Sequence, residues 1–239
     1  MLNTIYNEDC LVGMSKIPDG SVDMILCDLP YGTTQNKWDS IIPLNLMWEE
    51  YERIIKANGA IVLTASQPFT SMLVSSNPKL FKYSWIWEKS LKTNFLNAKK
   101  QPLRCHEDVL VFYKKQPTYN PQGVKPGSIS GGNKNTGSYG GWSPNSSKQE
   151  LTGYPSTVLK IANPNQGSIH PTQKPVPLFQ YLIETYTNAG DTVLDSCIGS
   201  GTTAIACINT GRKFIGYEFD TDMYEKCMGR IIAHNEALI

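Results

Sequence analysis

The sequence predicts an α/β protein: a doubly wound, mostly parallel seven-stranded sheet with helices on both faces and one loop-rich insertion. Three observations lead there. Short β-rich runs alternate with helical patterns, as in layered parallel sheets. A strand late in the chain runs into a glycine turn that opens a helix. Residues 115 to 168 break the alternation into Gly, Pro, Ser, Asn and Lys.

In chain order, the first strands are read at Thr4-Ile5-Tyr6-Asn7, Asp23-Met24-Ile25-Leu26-Cys27 and Ala60-Ile61-Val62-Leu63-Thr64. Tyr83-Ser84-Trp85-Ile86-Trp87 and Val109-Leu110-Val111-Phe112-Tyr113 follow, then Thr192-Val193-Leu194-Asp195 and Lys213-Phe214-Ile215-Gly216-Tyr217. All seven are short β-rich runs that alternate with helical patterns. Helices are expected over 44–57, 68–76, 176–188, 201–210 and 221–235, where apolar residues recur every three or four positions. The 239 residues suffice for one well-buried domain with an insertion. They divide into 1–114, an insertion at 115–168, and 169–239.

Hydrophobic residues make up 40% of the chain, yet no run approaches the roughly 20 apolar residues of a membrane helix. The opening residues lack a basic segment followed by an apolar core, so the expectation is a cytoplasmic protein without a secretion signal. Six cysteines, with no CxxC pair among them, predict neither disulfides nor a zinc site, and no metal is expected. The net charge of +1 conceals an asymmetry: residues 79 to 168 hold thirteen Lys/Arg against four Asp/Glu, +9, leaving −8 on the rest. A basic stretch on an acidic body suits a polyanion. The insertion sets Tyr119, Tyr139, Trp142 and Tyr154 among lysines opposed by Glu150 alone, a mixture suited to base stacking and phosphate contact.

Two motifs carry chemistry. In the run from Val193 to Thr203, VLDSCIGSGTT, glycines permit close backbone approach by a ligand and the helix start favours negative groups. Glu218 ends the following strand, 23 positions beyond Asp195, the spacing at which a carboxylate meets ribose hydroxyls. The turn lacks a full GxGxxG, and an acid at the strand end would repel a pyrophosphate, so a cationic or amine-bearing ligand fits better than a dinucleotide. The second motif, Asp28-Leu29-Pro30-Tyr31, follows the strand ending at Cys27. It offers an acceptor, a restricted backbone carbonyl and a stacking ring, the needs of a planar amine.

Together these motifs resemble the amino-methylating DNA methyltransferases of the permuted β group, in which the catalytic element precedes the cofactor element. Asp28-Leu29-Pro30-Tyr31 is similar to that family's D/S/N-P-P-Y/F/W, with Leu29 in place of the first proline, and the glycine turn is similar to D-x-F-x-G-S-G-T-T, with Cys197 in place of the aromatic. Asn7-Glu8-Asp9-Cys10, Trp87-Glu88-Lys89 and His170-Pro171-Thr172-Gln173-Lys174-Pro175 fall in the family's order. The resemblance implies a Rossmann-like methyltransferase fold, S-adenosylmethionine as cofactor and double-stranded DNA as partner, with residues 115–168 as the target-recognition region. It implies a catalytic set of Asp28, Pro30 and Tyr31. It further implies a cofactor site of Asp9, Cys10, Asp28, Lys174, Asp195, Ser196, Gly199, Gly201, Thr202 and Glu218, in which Asp9 accepts the adenine amine and Lys174 faces either the methionine carboxylate or solvent. Lys89, Lys92, Lys99, Lys100, Arg104 and Trp142 are the expected DNA contacts, and His170 is given no catalytic role.

The reaction expected is methyl transfer to adenine N6 of a flipped base, since a leading Asp leans to adenine. Cytosine N4 methylation uses the same geometry and stays open, as does a non-catalytic nucleic-acid-binding module; a nicotinamide enzyme fits the turn less well. A monomer or a homodimer, and a cognate restriction enzyme, are compatible with the sequence.

Overall fold

The computed structural model describes residues 2–32, 41–129, 149–164, 169 and 172–238. Tyr139, Trp142 and His170 lie outside the described residues. The chain forms two compact units, residues 1–120 with 157–239, and residues 121–156.

The larger unit is built on an eight-stranded sheet in the order β1-β10-β9-β2-β3-β5-β4-β8. The seven expected strands all form: β1 (Thr4–Tyr6), β2 (Val22–Asp28), β3 (Ile55–Ala65), β4 (Phe81–Thr93), β5 (Arg104–Phe112), β9 (Thr192–Asp195) and β10 (Lys213–Tyr217). The eighth, β8 (Val158–Lys160), pairs parallel with β4 along the edge. It falls inside the segment read as irregular, because three residues are too few to show a period. Within this sheet, among the described residues, only β5 runs antiparallel to its neighbours.

The strands of β2 show how the sequence divides the core. Met24 and Leu26 pack on one face with Leu178, Phe179, Leu182 and Ile183 of α4 (Val176–Tyr186), α5 (Thr202–Thr210) and α6 (Thr221–Glu236). Ile25 and Cys27 pack on the other with α1 (Cys10–Met14), α2 (Leu44–Ile54) and α3 (Phe69–Ser76). Alternate side chains of a strand point to opposite faces, so an unbroken apolar run serves two helical layers. Helix α2 stops three residues before its expected end because Ile55 turns extended and pairs with Val22.

Chain order reverses where β9 lies against β2, with Ile25 opposite Leu194. Ligands in open α/β sheets bind outside the strand ends at such a switch point. Here it brings the ends carrying Asp28 and Asp195 together, although 166 residues of chain separate them. The smaller unit is a two-stranded antiparallel hairpin, β6 (Lys125–Ile129) on β7 (Gln149–Thr152). Gly123 and Gly153 flank it with φ of +81° and +80°, and a side chain at Gly153 would strike the Gly123 carbonyl at 2.6 Å.

Candidate active site

Four adjacent parallel strands deliver acids to one edge of the sheet: Asp9 shortly after β1, Glu218 after β10, Asp195 on β9 and Asp28 on β2. Each is held differently. Asp9 caps α1, its Oδ1 accepting from Leu11 N at 2.9 Å and Val12 N at 3.2 Å. Glu218 accepts from Gly199 N and Asp220 N, both at 2.9 Å. Asp195, 2% exposed, accepts from Cys197 N at 3.0 Å and from the Thr203 hydroxyl. Burial raises its pKa to about 6, against the lowering effect of those two donors. Glu218 is raised for the same first reason.

These two carboxylates therefore shape the glycine turn from both sides. Gly199 and Gly201 adopt φ of +50° and +80°, which a side chain would disfavour. At Gly201 a Cβ would also meet Cys227 Sγ at 2.7 Å, whereas at Gly199 it would meet only the Cys197 carbonyl at 3.9 Å. Gly199 thus leaves the turn open to close approach, and Gly201 packs the helix start onto α6. From α6, Arg230 donates to the Ser200 carbonyl at 2.8 Å and to Thr202 Oγ1 at 3.2 Å. Thr202 donates in turn to the Lys174 carbonyl at 3.2 Å. Ser196 is buried, its hydroxyl 2.6 Å from Tyr51 and 3.3 Å from Cys27 Sγ. The same hydroxyl lies 3.9 Å from Cys197 Sγ, and burial lifts Cys27 to about 11. An open glycine turn edged by acids fits a ligand that carries ribose hydroxyls, an amine and a cationic centre, which S-adenosylmethionine does.

On the β2 side, Asp28 Oδ1 accepts from the Tyr31 hydroxyl at 2.9 Å and from Thr64, and Oδ2 accepts from Lys174 Nζ at 2.6 Å. Lys174, 6% exposed, lies 3.3 Å from Glu107 Oε2 as well, and Glu107 Oε1 accepts from Lys89. Burial alone would lower the Lys174 pKa, but Asp28 and Glu107 outweigh it and the net shift is upward. A buried ammonium needs such partners. Lys174 is thus held between two carboxylates, those of Asp28 and Glu107. Lys89, expected to face DNA, is turned onto Glu107, its side chain 12% exposed.

Tyr31 stacks on Phe69, ring centroids 5.2 Å apart, and burial pushes its hydroxyl above the usual range. Leu29, in the place of the family's first proline, is 3% exposed and packs into the core, while Pro30 is half-buried. Thr64 and Glu107 were not singled out from the sequence. Their strands, β3 and β5, were legible, but only sheet order shows that both residues reach the Asp28 side of the sheet. Lys92, Lys99, Lys100 and Arg104 lie exposed on the β4–β5 hairpin.

Fold and edge together suit a transferase that takes a nucleoside cofactor at its strand ends. More narrowly, the chain belongs to the DNA methylase family of N6/N4 methyltransferases, whose model matches residues 22–228. It is 29% identical to the DNA adenine methyltransferase YhdJ of Escherichia coli (strain K12), across 95% of this chain and 82% of that protein. It is 24% identical to the type II methyltransferase M.HindIII of Haemophilus influenzae, across 97% of this chain and 96% of that protein. The crystal structure of the M1.HpyAVI–SAM complex superposes with a TM-score of 0.65 at 25% identity, covering 95% of this chain and 98% of the other. The protein is accordingly an S-adenosylmethionine-dependent DNA methyltransferase.

Proposed function

We propose that this enzyme methylates adenine N6 in a base flipped out of double-stranded DNA. The observation that carries this reading is Asp28, a carboxylate at the switch point held by one ammonium and two hydroxyls. The leading Asp, and the adenine specificity for which the Escherichia coli relative is named, support adenine over cytosine.

When bound, S-adenosylmethionine supplies an electrophilic methyl group. Asp9, Cys10, Asp195, Ser196, Gly199, Gly201, Thr202 and Glu218 form its cradle, directly or by shaping the glycine turn, and Asp28 borders it. The amine is a weak nucleophile because its lone pair is delocalised into the ring, so orientation supplies much of the rate. Asp28 Oδ1 accepts one N6 hydrogen and the Pro30 or Leu29 carbonyl the other, which turns the lone pair out of the ring plane. For this, Tyr31 gives up its hydrogen bond to Asp28 and stacks on the base. Lys174 keeps Asp28 oriented, and Asp28 takes the amine proton. N6 is engaged in pairing within the duplex, so the base must leave the stack.

Residues 1–114 and 169–239 then form one catalytic domain, to whose sheet β8 adds an edge strand, and the rest of 115–168, with Trp142, is the target-recognition insertion. Lys92, Lys99, Lys100 and Arg104 hold phosphates. Among the described residues no helix is long and apolar enough to cross a membrane, which accords with work on cytoplasmic DNA. That the Haemophilus relative is a type II methyltransferase supports a cognate restriction enzyme as a partner.

Tritiated methyl transfer to unmethylated DNA, followed by nucleoside analysis, tests the reading. Labelled N6-methyladenine is expected, with kcat lowered about 10²–10⁴-fold in Asp28→Ala. Labelled N4-methylcytosine would move the target base; an Asp28→Ala enzyme of wild-type rate would sink the assignment of Asp28.

A further inference from the structure

The β4–β5 hairpin does something the methylation site does not account for. Beyond the pair Trp87–Glu107 its strands continue past the carboxyl edge to the pair Thr93–Arg104, and a short 3₁₀ turn, Phe95–Asn97, closes the tip. That tip is ordered by its own bonds. Asn94 adopts φ of +69°, the Asn97 amide donates to Asn94 Oδ1 at 2.8 Å, and Lys100 N and Gln101 N donate to the Asn97 carbonyl at 2.8 and 3.0 Å. The base of the hairpin is tied down as well, Leu91 N donating to Asn163 Oδ1 at 3.0 Å. Despite this order, Phe95 is 72% and Leu96 89% exposed, with Leu91 at 65%. A fixed turn that holds large apolar side chains in water marks an interaction site.

Its surroundings select the partner. From Lys89 to His106 there is no Asp or Glu, while Lys92, Lys99, Lys100 and Arg104 are exposed and among the described residues none of the four is in an ion pair. Lys89, the one neutralised cation, is paired with Glu107. A second copy docking hairpin to hairpin would set four cations against four, because a two-fold interface brings like patches together. A polyanion meets no such penalty. Position narrows it further: the hairpin rises from Glu107, which touches Lys174, which holds Asp28. The hairpin therefore springs from the same edge of the sheet to which Asp28 is delivered.

We propose that Phe95 and Leu96 form an apolar wedge that enters the duplex where the target base leaves it, with Lys92, Lys99, Lys100 and Arg104 gripping the flanking phosphates. Apolar side chains inserted between base steps unstack them, and a wedge filling the vacated space stabilises the flipped state. This inference rests on the DNA-methylating reading above and adds a positioning device outside the pocket.

The test compares wild type with Phe95→Ser/Leu96→Ser on a synthetic duplex bearing the site located by sequencing methylated genomic DNA, and on the same duplex with an abasic position opposite the target adenine. The abasic duplex has already lost the pairing that the wedge helps to break. Both positions are exposed, so melting temperature and S-adenosylmethionine affinity should match wild type. On the paired duplex the double variant should lose at least tenfold in kcat/KM, and the abasic duplex should restore most of it. 2-Aminopurine at the target position should show a smaller rise in fluorescence on binding the variant. Equal activity on the paired duplex, or an equal loss on both duplexes, would overturn the wedge and leave the hairpin as a docking or self-association surface. A wild-type enzyme that methylates no DNA would instead remove the reading on which the wedge rests.

Discussion

The two sides of the switch point hold their carboxylates by different means. On the β9–β10 side, Asp195 and Glu218 are satisfied mostly by backbone N–H groups of their own or the adjacent turn, Cys197, Gly199 and Asp220. On the β2 side, Asp28 is satisfied entirely by side chains, two of them from remote elements: Thr64 of β3 and Lys174 ahead of α4. A cradle for a constant cofactor can be made of backbone, whose donors do not rotate away. The proposed exchange of Tyr31 for a substrate amine at Asp28 needs partners that can change.

The contrast predicts where each side breaks. The largest effect should come from Lys174→Met, which strands Asp28 and Glu107 beside one another without their shared cation. Removing one member of a buried ion network costs about 3–5 kcal/mol, so urea unfolding should show a loss of that size, with kcat reduced as well. A loss under about 1 kcal/mol would mean that Asp28 is held by the hydroxyls alone.

On the other side, Asp195→Asn should act through pH. The folded pKa of about 6 lies above the ordinary 3.8, so the fold favours the neutral acid. The stability this contributes is present below about pH 4 and is lost as pH rises through 6. The neutral amide escapes that loss. Its melting temperature relative to wild type should therefore climb between pH 4 and 7, by the equivalent of up to roughly 3 kcal/mol. A flat difference would show that the carboxylate is not the buried titrating group. Thr64→Val should be the mildest change. It removes one of two hydroxyls on Asp28 Oδ1 from a fully buried strand position, at a cost of about 1 kcal/mol. Steady-state kinetics should show kcat down several-fold with the cofactor KM unmoved; a change in cofactor KM instead would blur the division between the two sides.

The sequence by itself determined the strands, the alternation of faces and the two motifs, because these are local: β2 reads as a buried strand from its own residues, and the glycines at 199 and 201 announce a turn wherever they sit. It also determined that Asp28 precedes an aromatic and that Asp195 and Glu218 end neighbouring strands. The short β8 was not legible, since three residues in a polar segment carry no period. What only the tertiary structure decided is which side chains meet. The antiparallel return of β5 carries Glu107 to the end where β2 stops, and the segment ahead of α4 drops Lys174 between two acids. No spacing along the chain encodes that Lys174 is a counter-ion of Asp28. Lys89 followed the same logic: a basic stretch predicts a surface, but sheet pairing turned one of its cations inward, because a buried Glu107 is costly without a partner.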